Sequence, residues 1–221
     1  MTFTIVARCH RTGALGVATC TTGRSVGSAV PHAEEGVGAV ATQATTNVIH
    51  GNNSLRLLKM GFDPKTVLKS TLVLDPHPEF RQVLIIDSQG RTAAHTGSRN
   101  KDWSGAVEGK NYVVGGNAVV GPKVIKAVVK TFEESEKELL HERLVRALDA
   151  GEEAGGCNEP DHTAALLVVG IEEELKTYLR PVLSLRVDSS DKPTTDLREI
   201  YESYKSWIKE KRGDLENIRG Y

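Results

Sequence analysis

Thr2-Phe3-Thr4-Ile5-Val6-Ala7 is rich in β-branched residues, and its alternation puts Phe3, Ile5 and Ala7 on one face and Thr2, Thr4 and Val6 on the other. Cys9-His10-Arg11-Thr12-Gly13 is polar and ends in glycine, as a hairpin loop does, and Ala14 to Thr19 reads as the return strand. The chain is therefore expected to open on a two-stranded ribbon with Thr2 at its edge.

Position 2 carries a hydroxyl behind Met1, and a small second residue is what methionine removal requires. A chain beginning at Thr2 has a free α-amine beside its own hydroxyl. The unperturbed pKa of such an amine is about 8, near enough to neutrality for it to act as general base on that hydroxyl. One residue then supplies nucleophile and base.

Charge excludes some functions. The 28 Lys and Arg nearly balance the 29 Asp and Glu, and neither sign runs long enough for a nucleic-acid or membrane surface. No apolar run reaches a membrane span and the N-terminus lacks a signal-peptide pattern, so a cytoplasmic protein is expected. Cys9, Cys20 and Cys157 are odd in number and widely spaced, which fits reduced thiols. With 221 residues, 39% of them apolar, and no Ser/Pro/Gly-rich linker, residues 1–221 read as one domain.

Thr19 to Ser28 is small, hydroxylated and turn-rich, and Pro31 to Gly36 reads as a loop into a strand from Val37 to Ala41. Thr42-Gln43-Ala44-Thr45-Thr46-Asn47 follows that strand where it hands over to a helix. Gln43 and Asn47 each carry a donor and an acceptor and suit an amide substrate, whereas capping the next helix is the structural alternative. Helices are expected from Asn53 to Met60 and after Asp63-Pro64, strands at Arg81 to Asp87 and Arg91 to Thr96, and a polar loop from Gly97 to Lys110 whose Trp103 either anchors the loop or covers a ligand.

Tyr112 to Pro122 (YVVGGNAVVGP) has glycines that let backbone approach a ligand closely, but it is no phosphate loop. Helices from Pro122 and from Glu136 to Ala150 follow, then strands at Thr163 to Gly170 and Leu179 to Val187. In the acidic loop between, Cys157, Asp161 and His162 match no common zinc spacing, so neither metal nor cofactor is expected; Asp161 is a candidate to face the cleft. An amphipathic helix at 196–212 repeats Leu197, Ile200, Tyr201, Tyr204, Trp207 and Ile208 on a wide stripe that suits its own core or a second copy, hence a homodimer.

The runs TFTIVAR, TGALGVA, VGSAVPHAEEGVGAVATQATTN and VVGGNAVVGP resemble the domain-of-unknown-function 1028 family of bacteria and archaea, over residues 2 to 188. That family is usually placed among the N-terminal nucleophile (Ntn) hydrolases. The resemblance implies an α+β fold, a four-layer αββα sandwich, with no settled substrate. It also implies that the region Thr19 to Ser28, with the hydroxyls of Thr19 and Thr21, lines the cleft near the nucleophile and that Gly116 and Asn117 help build an oxyanion site. A proteasome-like site would add a lysine after the nucleophile; this chain has none before Lys59, leaving His32 or Arg8 to supply positive charge.

Two functions follow. In one, an Ntn-type amidohydrolase acts on a small amide or peptide-like substrate through Thr2, with Gln43, Asn47 and Asn117 in the catalytic set and Thr4, Thr19, Thr21, His32, Thr46, Gly116 and Asp161 binding substrate. The other is a noncatalytic ligand-binding protein on the same scaffold. Thr4, Thr19 or Cys20 with a separate base such as His32 is a further nucleophile assignment.

Overall fold

The structure, a computed structural model, describes residues 1–170 and 182–219, with side chains through residue 210 apart from that of 182. In chain order its elements are β1 (Thr2–Arg8), β2 (Leu15–Thr21), β3 (Pro31–Glu34), β4 (Gly38–Ala44), α1 (Val48–Lys59), α2 (Pro64–Val73), β5 (Arg81–Asp87), β6 (Thr92–Thr96), β7 (Trp103–Gly109), β8 (Tyr112–Val119), α3 (Pro122–Glu134), α4 (Leu140–Glu153), β9 (Thr163–Val169), β10 (Val182–Val187) and α5 (Pro193–Arg219). It is a mixed α+β fold with two antiparallel sheets, ordered β10-β9-β2-β1-β8-β7 and β3-β4-β5-β6.

The alternation of β1 explains its position. Phe3, Ile5 and Ala7 pack on a cluster with Ile125, Val128 and Phe132 of α3, Leu144 and Leu148 of α4, and Leu197 and Tyr201 of α5. Val6 faces the other way, with Leu15, Val17, Ala39, Ala41, Leu84, Ile86 and Val113, in a core between the sheets. Val40, Val83 and Ile85 pack on Leu58, Val67 and Leu68 of α1 and α2. Both faces of each sheet are thus covered by apolar side chains.

Several elements depart from the sequence reading. β1 is not at an edge: it pairs with β2 on one side and β8 on the other, Thr2 opposite both Thr21 and Asn117. Pro31–Glu34 is an edge strand rather than a loop. Trp103–Gly109 is also a strand, paired with β8; being half exposed and polar, it lacks the apolar alternation that marks buried strands. The last helix begins at Pro193 and continues to Arg219, longer than 196–212 at both ends. Of the strand expected from Leu179, the part before Val182 lies outside the described residues.

Helix starts follow their caps. Asp63 Oδ1 accepts from the amides of Lys65 (3.0 Å) and Thr66 (3.2 Å), opening α2. Asn47 Oδ1 accepts from the Ile49 amide at 3.2 Å, so α1 opens at Val48, ahead of the expected Asn53.

Candidate functional site

Thr2 and Thr4 point, with Val6, into the space between the sheets, where their cross-strand partners Thr21 and Thr19 also lie. The Thr4 and Thr19 hydroxyl oxygens are 2.6 Å apart, and those of Thr2 and Thr21 are 3.0 Å apart. Thr21 donates in turn to the Met1 carbonyl. A hydroxyl has one proton to give, so Thr2 is the donor in its bond with Thr21.

The second sheet completes the cluster. Gln82 of β5, on the same face as Leu84 and Ile86, donates through Nε2 to the Gly116 carbonyl (2.9 Å) and to Thr96 Oγ1 (2.9 Å). Its Oε1 accepts from Gln43 Nε2 at 2.7 Å and from Asn117 Nδ2 at 3.0 Å. Gln43 Oε1 is buried and has no partner. The backbone is held tightly here, because Ala44 (φ 69°) and Ala118 (φ 51°), each following a cluster residue, occupy the left-handed region that disfavours side chains.

The structure therefore brings together Thr2, Thr4, Thr19, Thr21, Gln43, Gly116 and Asn117. Gln82 is the hub the sequence reading missed. Its one signal was polarity at an inward position of RQVLIID. Thr2 and Thr21 lie at the rim, 5% and 7% exposed, followed by the exposed Gly23 and Arg24, whereas Thr4, Thr19, Gln43 and Gln82 are fully enclosed.

Four expected site residues, Asn47, Thr46, His32 and Asp161, lie elsewhere. Asn47 caps α1 and also donates to Asp75 Oδ2 at 3.3 Å, on the helix side of the second sheet. Thr46 is exposed beside it. His32, opposite Val40, turns to the same helix side, where a Cβ on Gly51 would lie 2.3 Å from its Nδ1. Arg8 is at the far end of β1 from Thr2, about 20 Å along an extended strand at about 3.3 Å per residue. Neither cation stands beside Thr2.

The Asn47 region has a network of its own. Asp75 takes a bidentate pair of bonds from Arg81 (Nε at 2.8 Å, Nη2 at 3.1 Å) and is 2.6 Å from His50 Nε2. The Arg81 bonds, with the His77 amide and Asn47, hold the Asp75 carboxyl well below the usual range despite burial. Burial pushes the His50 pKa down, against the pull of Asp75.

Asp161 sits at the helix-facing side of the Thr2 end, joined to it by the His162 amide, which donates to the Thr21 carbonyl at 2.9 Å. With Cys20 and Glu152 it offers ligand atoms within 4.8 Å of one another, the one such group among the described residues. Burial and then the Asp161 carboxylate push Glu152 up to about 7. Burial, with Asp161 next, likewise raises the Cys157 thiol. His162 turns away, its Nδ1 3.3 Å from the Ser190 carbonyl. All three cysteines are buried free thiols.

Among the described residues no helix is long and apolar enough to cross a membrane. A model of the family of unknown function DUF1028 matches residues 2–197. The crystal structure of protein SPO2555 from Silicibacter pomeroyi, labelled family-model DUF1028, is similar at 30% identity and a TM-score of 0.82, over 94% of this chain and 93% of that one. Anbu, an ancestral β-subunit from Yersinia bercovieri, aligns over 95% of this chain and 97% of its own at 12% identity and a TM-score of 0.39. No curated protein matches.

Proposed function

The chain belongs to the DUF1028 family, whose function is unknown, and from its own residues we propose that it is an N-terminal nucleophile amidohydrolase acting on a small amide or peptide-like substrate through Thr2. The proposal includes the finer fold assignment, an αββα sandwich of Ntn type, supported by apolar clusters between the sheets and between each sheet and its helices. The observation that carries the proposal is the position of Thr2. It begins a central strand and faces the inter-sheet space at the rim of a cluster of hydroxyls and amides.

Once Met1 is removed, the Thr2 amine takes the proton of its own hydroxyl as Oγ1 attacks the substrate's amide carbon. The collapsing tetrahedral intermediate expels the amine, which receives that proton, and leaves an ester on Thr2. Water activated by the same amine hydrolyses the ester and restores the enzyme. Loss of Met1 also removes the carbonyl that Thr21 donates to, leaving the Thr21 hydroxyl to donate to Thr2 Oγ1 instead. Asn117, opposite Thr2, is placed to stabilise the oxyanion, and Gln43, behind it and enclosed, helps hold Gln82, which accepts from Asn117.

A noncatalytic ligand-binding protein on the same scaffold is the second reading, favoured by the two donors, the Thr21 hydroxyl and the Thr22 amide, that hold the Met1 carbonyl in place. A cytoplasmic location and a homodimer belong to the proposal too. Buried thiols suit a reducing compartment, and Ile200 and Trp207, each 40% exposed on α5, leave an apolar face for a second copy. Hydrolysis of a panel of small amides and dipeptides by the wild type, Thr2→Ser and Thr2→Ala separates the readings. Turnover kept by serine and abolished by alanine supports the hydrolase; turnover indifferent to Thr2→Ala overturns it.

A further inference from the structure

Three side chains from separate elements converge beneath the Thr2 end of β1, on the face away from the hydroxyl cluster. Cys20 is the penultimate residue of β2, Glu152 lies in the last turn of α4, and Asp161 precedes β9. Their sulfur and carboxylate oxygens lie within 4.8 Å of one another. Gly156 makes room for that approach. A Cβ there would stand 2.8 Å from Glu152 Oε2 and 2.9 Å from Asp161 Oδ2, so any larger residue would occupy the space that the two carboxylates share.

Among the described residues the cluster has few donors and no ion pair. Asp161 is 4% exposed, and its Oδ1 is buried with no hydrogen-bond partner. Glu152 Oε2 is buried and unpartnered as well. Among the described residues neither carboxylate forms an ion pair, and the donors to Asp161 are neutral: the Cys157 thiol, and the Cys157 amide, which at 3.4 Å from Oδ2 is weak. Two adjacent buried carboxylates with open oxygens are costly unless a proton or a cation lies between them.

We propose that Cys20, Glu152 and Asp161 form a binding site for a divalent metal ion of the zinc class, its carboxylates in no ion pair among the described residues and its space shaped by Gly156. The donor set selects the ion. Calcium and magnesium take oxygen ligands, whereas a thiolate beside carboxylates suits borderline-soft zinc, and three protein ligands leave a fourth position for water or another donor. Binding replaces protons: the Cys20 thiol gives up one, and the carboxyl pair gives up the one it shares. Glu152 is half exposed while Cys20 and Asp161 are enclosed, so the ion arrives past Glu152. The site does not depend on the catalytic reading of Thr2.

Cobalt titration of the full chain, stripped with a chelator, tests this directly. One Co²⁺ per chain is expected, with a thiolate-to-cobalt charge-transfer band that zinc abolishes. Cys20→Ser should remove the band, and Glu152→Gln, a nearly isosteric change at a half-exposed position, should weaken cobalt binding by about tenfold or more, the loss expected even for a partner of a ligand. Circular dichroism and the unfolding midpoint verify that both variants fold. Substoichiometric uptake, uptake without a thiolate band, or a folded Glu152→Gln protein that binds cobalt like the wild type would overturn the site.

Discussion

The hydroxyl oxygens of Thr2 and Thr21 face each other across the β1–β2 ladder at 3.0 Å, and the Thr21 proton is committed to the Met1 carbonyl. While Met1 is in place Thr2 therefore gives its proton to Thr21; once Met1 is lost the direction reverses. A Thr21→Val substitution keeps the shape and removes the bond in either direction, leaving the buried Thr2 hydroxyl without this partner, and the expected cost is about 1–3 kcal/mol. Urea unfolding of the two proteins checks it; equal midpoints would mean that the bond does not form.

Asp75→Asn should cost about 3–5 kcal/mol, because it leaves the Arg81 guanidinium beside a neutral partner at a site where the carboxylate side chain is fully buried. The pH dependence has a definite sign. The folded-state pKa of Asp75 lies below its unfolded value of about 3.9, so its stabilisation is present above that value and is lost as pH falls below it. Unfolding curves between neutrality and acid should show a shallower acid loss in Asp75→Asn than in the wild type.

Gly151 lies within α4, where alanine ordinarily stabilises a helix by about 1 kcal/mol. Here the sign should reverse. A Cβ at Gly151 would lie 2.5 Å from the Phe3 ring and 2.8 Å from Val128 Cγ2, so Gly151→Ala is expected to destabilise by about 1–3 kcal/mol through overpacking. A melting temperature at or above the wild-type value would contradict this packing of α4 on β1.

Glu152 should make the metal-free protein less stable as pH rises. Its folded-state pKa of about 7 stands above the unfolded value of about 4.3, so the folded state holds the extra proton between them. Stability from this group is complete below the unfolded value and is lost as pH rises toward 7. Unfolding in chelator across that window should show this slope in the wild type and its absence in Glu152→Gln.

The parity of Thr2, Thr4 and Val6 was readable because a strand has a period of two, and it correctly separated the residues facing the sheets' interior from Phe3, Ile5 and Ala7. The Asp63-Pro64 start of α2 was equally plain. What resisted reading was long-range pairing. Asn117 meets Thr2, and Gln43 meets Gln82, through sheet register, which no local pattern encodes. Asn47 carried the same amide as Gln43 four residues earlier, but it lies beyond the end of β4 and its local alternative, capping α1, is the role it takes. Trp103 went astray because a half-exposed strand has the composition of a loop.

The central claim is that Thr2 is the N-terminal nucleophile, and it meets its most direct test in peptide mapping of the native protein after treatment with a hydroxyl-acylating β-lactone. The account predicts an N-terminal peptide that begins at Thr2 and carries one acyl adduct on its hydroxyl, with no adduct in Thr2→Ala. A peptide that still begins at Met1, or an unmodified Thr2 beside an acylated internal residue such as Thr4, Thr19 or Cys20, would contradict it.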